Sequence, residues 1–313
     1  MIICCGEALI DFVPVLVDGA PAYRPLPGGS PFNVAIGLGR LGAPTGFLSR
    51  LSTDFFGDLL VDTLVRNGVD CRHVKRTADP STLAFVSQPG SGEPQYAFFS
   101  NGAADRCIAG HDLPPAFDDA VTALHLSLGA ITLMTEPAAD TFEALLRREA
   151  KHRVIVFDPN IRAGLISDRA AYCRRLESLI GICDLVKVSR ADLEWLYPDR
   201  DIEVSAEAWL GLGPRLVVVT LGAEGAMAFM GGARVAVPGR KVNVVDTVGA
   251  GERFHSARLA GLHDQGALTI DGLPKLKPEA LPGLLNRATA AAAITCNRAG
   301  ANPPTRAELE STL

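Results

Sequence analysis

The sequence predicts an α/β fold built on a mostly parallel sheet with helices on both faces. Short apolar runs alternate with stretches of helical periodicity along the chain, and those runs are apolar on successive residues, as strands buried on both faces require. Hydrophobic residues make up 48% of the 313 positions against 21% charged, enough to fill a large core. The strand candidates are residues 2–5, 46–49, 123–126, 154–157, 185–188 and 216–220. Helix-period segments lie between them at 32–41, 57–67, 138–151, 170–182, 191–196 and 206–212. Residues 225–230 and 234–237 read as a hairpin turning at Gly231-Gly232, followed by a helix opening near Gly249 and another over 281–295. Two stretches, 11–27 and 82–100, instead alternate apolar and polar residues between Gly/Pro turns, and read as antiparallel strands outside the main sheet. A small sheet assembled from two such insertions would sit over one end of the core, where a lid belongs. No linker or repeat interrupts the chain, so 1–313 is expected to form one domain, with the lid at about 11–32 and 82–104.

Charge narrows the function classes. The net charge is -5, the pI is about 5.7, and no run of Lys or Arg occurs, so the chain lacks the footprint for nucleic acid or an anionic membrane. No segment approaches 18 uninterrupted apolar residues. The seven cysteines, at 4, 5, 71, 107, 173, 183 and 296, form no C-x-x-C pair and read as small hydrophobes in a reducing compartment. With no basic stretch and apolar signal core at the start, a soluble cytoplasmic protein is expected.

The strongest chemical signal is Asp246-Thr247-Val248-Gly249-Ala250-Gly251-Glu252-Arg253-Phe254, leading into a helical run. A Gly-rich turn opening a helix aims successive backbone N–H groups at one spot, where the helix dipole adds positive charge. Such a hole suits the charge that develops on a transferred phosphoryl group, and a first-turn carboxylate suits removal of a proton from an attacking hydroxyl. Taken alone, the motif is equally an acidic residue stabilising a helix N-terminus. A second Gly-rich helix opening is Gly28-Gly29-Ser30-Pro31-Phe32-Asn33, where glycines would let a substrate approach the backbone and Asn33 would offer a donor and an acceptor. Gly37-Leu38-Gly39-Arg40-Leu41-Gly42 matches G-x-G-x-x-G but falls inside a helix, so it is no dinucleotide fingerprint, and no P-loop sequence occurs. His125 reads as a core residue and His255 as equally core or surface; no metal-ligand spacing appears.

These motifs form an ordered set with Gly6-Glu7, Asp11, Asp158-Pro159-Asn160-Ile161-Arg162, Val186-Lys187-Val188-Ser189, Thr220-Leu221-Gly222-Ala223-Glu224-Gly225 and Gly300-Ala301-Asn302-Pro303-Pro304. The set resembles the ribokinase-like (PfkB) carbohydrate kinases, the bacterial fructokinases in particular, over nearly the whole chain. The resemblance implies a three-layer α/β/α core with a β-sheet lid, a homodimer through that lid, and transfer of the ATP γ-phosphoryl group to a sugar hydroxyl. By the same resemblance Asp11, Gly28, Gly29 and Asn33 hold the sugar, with Arg106 a further candidate beside Asp105. Gly249, Ala250 and Gly251 form the anion hole, Arg162 faces the phosphates, and Lys187, Ser189, Thr220, Gly222, Gly225 and Thr289 border the nucleotide. Mg²⁺ is implied on the phosphates, held by ATP and water rather than by a protein cage; K⁺ beside the anion-hole loop, used by some relatives, stays open.

The chain departs from the family pattern at several positions. Glu252 stands where the catalytic base is Asp, Arg253 where a small residue is usual, and Ala257 where Gly is usual. Arg190 stands where the metal-supporting motif is acidic, and Thr289 where Asn often adjoins the adenine. Glutamate matches aspartate in basicity, but a displacement of about 1 Å can cost on the order of 100-fold in rate. Three expectations follow: a fructokinase-like enzyme with Glu252 as base; a kinase for another sugar such as 2-keto-3-deoxygluconate, with Arg106 meeting its carboxylate; or a catalytically impaired sugar-binding or regulatory homologue.

Overall fold

The computed structural model describes residues 1–87, 95–127, 135–298, 300 and 302–313. Residues 88–94 of the second lid segment and Ala301 of the Gly300 motif lie outside the described residues. In chain order the strands are β1 (Ile2–Gly6), β2 (Leu9–Val17), β3 (Ala20–Gly28), β4 (Thr45–Ser52), β5 (Val69–Thr77), β6 (Thr82–Ser87) and β7 (Gln95–Phe99). They continue as β8 (Ala123–Ser127), β9 (Val154–Asp158), β10 (Leu185–Ser189), β11 (Leu216–Thr220), β12 (Gly225–Met230) and β13 (Ala233–Pro238). The helices are α1 (Ser30–Arg40), α2 (Phe55–Arg66), α3 (Ala138–Glu149), α4 (Arg169–Ile180) and α5 (Arg190–Leu196). The remaining helices are α6 (Ile202–Leu212), α7 (Ala250–Asp264), α8 (Leu281–Cys296) and α9 (Arg306–Glu310).

Among the described residues the strands form two sheets. The larger has nine, in the order β13-β12-β11-β10-β9-β8-β1-β4-β5, parallel from β11 to β5, with β12 and β13 added as an antiparallel hairpin. Its two apolar faces are visible within β1 alone: Ile2 and Cys4 join the core beneath α1, α2, α7 and α8, whereas Ile3 and Cys5 join that beneath α3, α4, α5 and α6. Strand β5 has no counterpart among the apolar runs, because its sequence, Val-Asp-Cys-Arg-His-Val-Lys-Arg-Thr, is that of a charged edge strand pairing on one side only.

The smaller sheet has the order β3-β2-β6-β7. Its central pair, β2 and β6, is parallel rather than antiparallel. Both insertions leave the main sheet from the carboxyl ends of parallel strands, β1 and β5, and therefore reach the small sheet travelling the same way.

Strand order reverses at β1, with β4 on one side and β8 on the other. Open α/β sheets take ligands at such a reversal, outside the carboxyl ends of the strands. That edge is formed here by Gly6, Ser127, Asp158, Ser189 and Thr220, the last residues of β1, β8, β9, β10 and β11.

The glycines of the rejected dinucleotide pattern serve packing. Gly37 lies within α1 where α7 crosses it, and a Cβ there would stand 2.8 Å from Ser256 Cβ. Gly37→Ala is expected to lower the urea midpoint by a strain of about 1–3 kcal/mol, although alanine gains about 1 kcal/mol of helix propensity. Gly283→Ala, at an exposed helical position with open space around it, should raise the midpoint in the same assay.

Candidate active site

Above the carboxyl edge, two cavities meet. The first, about 480 Å³, is lined by Glu7, Asp11, Gly29, Asn33, Arg162, Lys187, Gly249, Gly251 and Glu252 among others. The second, about 520 Å³, is mostly apolar: Val242, Val244, Phe254, Ala292 and Ala293 line it, with Gly222, Gly225 and Thr289. Ser189, Ala191, Thr220, Thr247 and Gly251 belong to both.

At the polar end, β1 stops at Gly6, and Glu7 turns inward to accept the Ser30 amide at 3.3 Å. Asp11 projects from β2. Gly28, at the end of β3, faces it so closely that any Cβ would collide with the Asp11 carboxylate, so this glycine makes room for a side chain rather than lining the cavity. Gly29 follows at φ 106, its backbone against the Glu7 carbonyl, and Asn33 sits in the first turn of α1. Burial pushes the Asp11 carboxyl up to about 6, Arg162 opposing and Glu252 reinforcing the rise. Arg162 itself folds back, donating to Asn160 Oδ1 at 2.8 Å and the Ile161 carbonyl at 3.1 Å.

At the junction, Gly249 caps α7 in the left-handed region, φ 79. The Ala250 amide donates to the Thr247 carbonyl at 3.2 Å and the Arg253 amide to Gly249 at 2.9 Å. The first-turn donors that the helix itself leaves for an anion are therefore those of Gly251 and Glu252, not that of Ala250. Asp246 braces the loop, its carboxylate accepting the amides of Val248 and Gly300, each at 2.9 Å. Lys187 is buried beneath: its Nζ donates to Asp158 at 3.0 Å and would lie 3.6 Å from a Cβ on Gly251. Burial alone would depress that ammonium, but Asp158, helped by Glu252 and Asp192, holds it above its usual value.

Beyond Gly28 and Ala250, the expectations for Arg106 and Arg190 change, and the open choice for His255 is settled. Arg106 does not reach the joined cavities; it ends a turn (Ala104–Arg106) packed against β4, 2% exposed, ion-paired with Asp105 at 3.5 Å, and lines a separate cavity of about 690 Å³. Arg190 presents no bare charge to the site, because both its terminal nitrogens bond Glu224, at 2.7 and 2.8 Å. His255 is wholly buried, donating or accepting against His125 at 3.2 Å.

Other contributors escaped the motifs. Asp192 lines the first cavity; its Ser189-x-x-Asp192 spacing also makes a capping box at the start of α5, and that role masks the other. Burial raises its carboxyl pKa against the pull of Lys187. Tyr96 and Phe98 reach the cavity from β7, two residues apart on one face. Among the described residues no three His, Cys, Asp or Glu side chains converge as a metal-ligand set.

Comparison with known proteins agrees with this architecture. The model of the pfkB family carbohydrate kinases matches residues 1–308. A fructokinase of Rhizobium leguminosarum bv. trifolii is 44% identical over 282 residues, 90% of this chain and 85% of that protein. The structure of a fructokinase with bound ATP from Xylella fastidiosa superposes with a TM-score of 0.87 at 29% identity, covering 99% of this chain and 97% of the other. A Vibrio cholerae O395 fructokinase in fructose, ADP and calcium ion bound form gives 0.86 at 27% identity, with the same coverage.

The position of Asp11 has a measurable consequence. A carboxyl raised from 3.8 to about 6 on folding binds its extra proton in the folded state between those values, so folding stability falls as pH rises through that window. Asp11→Asn should gain stability relative to the wild type between pH 4 and 7.5, by at most about 3 kcal/mol, read from urea midpoints across that range.

Proposed function

The chain belongs to the pfkB family of carbohydrate kinases and is an ATP-dependent sugar kinase; from that premise we propose that its acceptor is fructose and that Glu252 is its catalytic base. The observation that carries this reading is the placement of Glu252. Its carboxylate lies in the first turn of α7, in the polar cavity with Asp11 and Asn33 and next to the Gly251 backbone that borders the apolar cavity.

The adenine lies among Val242, Val244, Ala292 and Ala293 near Thr289, and the phosphates run past Thr220 and Ser189 toward the N-terminus of α7. Fructose occupies the polar cavity against Asp11, Gly29 and Asn33, with Gly28 clearing the space in which the Asp11 carboxylate stands. Glu252 takes the proton of a primary hydroxyl as that oxygen bonds to the γ-phosphorus; the bond from phosphorus to the β-phosphate bridging oxygen breaks, and ADP leaves. The amides of Gly251 and Glu252, the dipole of α7, Lys187 and Arg162 stabilise charge on the transferred group. The half-buried Asp192 carboxylate fits a cation carried on the phosphates, and Mg²⁺ bound there would neutralise part of their charge. The four-stranded sheet acts as the lid, bringing Tyr96 and Phe98 over the sugar and excluding water.

The acid-sugar alternative loses its support, since Arg106, the cation assigned to it, lines another cavity. Leu16, Tyr23 and Phe99 on the small sheet are 74%, 50% and 62% exposed, and we assign that sheet as the surface a second copy covers. The seven free cysteines suit a reducing cytoplasm.

With Mg²⁺ and K⁺ present, ATP-dependent phosphorylation of fructose should proceed at roughly 1–100 per second. Glu252→Gln should lower kcat by about 10²–10⁴-fold with little change in KM for fructose. A wild type that binds fructose without turning over, while Glu252→Asp does turn over, would show that the longer side chain misplaces the base.

A further inference from the structure

Arg253 follows Glu252 on α7 and is 0% exposed. A guanidinium so placed is costly unless acceptors meet its N–H groups. One residue supplies two of them: Nη1 donates to the Asn33 backbone carbonyl, and Nη2 to Asn33 Oδ1 at 3.4 Å. Gly37, one turn along α1, leaves the space, since a Cβ there would stand 3.4 Å from Nη1. Burial pushes the guanidinium down to about 10, against the pull of Glu252, so it remains charged at neutral pH.

The consequence lies in Asn33. Its amide ends in one acceptor and one double donor and could turn either way, whereas a guanidinium only donates. Contact with Arg253 therefore fixes Oδ1 toward α7 and leaves Nδ2 for the cavity that Asn33 lines. An ionised Asp11 on the same cavity only accepts. The two side chains then ask opposite things of a bound polyol: one hydroxyl must accept from Asn33 and another must donate to Asp11. We propose that Arg253 is a positioning residue that sets the orientation of the Asn33 amide and so helps determine which sugar the cavity accepts. This rests on the sugar-kinase reading above. It also gives the side chain that follows the base a task of its own: a single turn of α7 aligns both the proton acceptor and a sugar-binding donor.

The test compares wild type with Arg253→Met, steady-state kinetics being measured for fructose and for analogues in which single ring hydroxyls are replaced by hydrogen or by fluorine. Fluorine accepts a hydrogen bond weakly and cannot donate one. In the wild type, one position should tolerate fluorine better than hydrogen, the mark of a donor on the protein. In Arg253→Met that preference should vanish and KM for fructose should rise about tenfold, the worth of one oriented hydrogen bond, with kcat within about threefold. An unchanged KM and an unchanged fluorine preference, with only a lower melting temperature, would reduce Arg253 to a space-filling role and overturn the proposal. Should Arg253→Met not fold, Arg253→Lys keeps the charge and one donor but loses the fork, and the same two readouts decide. If the wild type phosphorylates no hexose, the substrate reading fails, and the inference is judged without substrate. The Asn33 side-chain NH₂ group, assigned by its loss in Asn33→Asp, should then show a rigid Nδ2 order parameter, about 0.85, in the wild type and one below about 0.6 in Arg253→Met; equal order parameters would overturn it.

Discussion

Helix α7 has to bring a free N-terminus and a carboxylate to the carboxyl edge of the sheet, and the site depends on how closely it packs to do so. Gly37 of α1 admits Ser256 and Arg253 from one side. On the other side Gly261 admits α8, since a Cβ at that position would stand 2.8 Å from Leu284 Cδ2. Side chains at a helix contact set the distance between axes. Small residues here draw α7 in until Gly251 stands where the polar and apolar cavities join, with Gly249 and Glu252 on the polar side.

Beneath its buried face, α7 is tied to the sheet by a directed chain of polar groups. Arg258, 1% exposed, donates from Nη2 to His255 Nδ1 at 3.0 Å. Because arginine only donates, Nδ1 of His255 is the acceptor, its Nε2 carries the proton, and that proton points to His125 Nδ1 on β8 at 3.2 Å. Burial depresses both imidazoles, His125 to about 3 and His255 well below its ordinary value, so both stay neutral while the chain holds. The same burial pushes Arg258 down to about 10. Directed buried hydrogen bonds favour one arrangement over its near neighbours, and these favour a single position of α7 along β8, although His125 Nε2 and Arg258 Nε and Nη1 meet no partner among the described residues.

Much of this architecture was legible because burial on both faces writes continuous apolar runs into β1, β8, β9, β10 and β11. It failed at β5, whose free edge permits charge, and at the pairing of β2 with β6, which depends on where two distant insertions leave the sheet. In the site, the backbone-bearing motifs were readable: Gly29 and Gly249 take positive φ, Gly251 borders both cavities, and Asp11, Asn33, Lys187, Ser189, Thr220 and Glu252 line them. Side chains whose role depends on a remote neighbour were not. Arg106 follows the second lid segment and was a candidate for the sugar on that ground, yet its turn packs on β4. Asp192 hid behind its capping role, and the burial of Arg253 follows from the missing side chain of Gly37, far from it in sequence.

In the proposed mechanism the two cavities are one reaction centre, joined at the first turn of α7, with Glu252 between acceptor and phosphoryl donor. A structure with fructose and a non-hydrolysable ATP analogue bound together tests this most directly. It should place a primary hydroxyl of fructose within about 2.6–3.2 Å of the Glu252 carboxylate, with the γ-phosphate against the amides of Gly251 and Glu252. A hydroxyl held by Asp11 alone, with Glu252 turned away from both ligands, would contradict it.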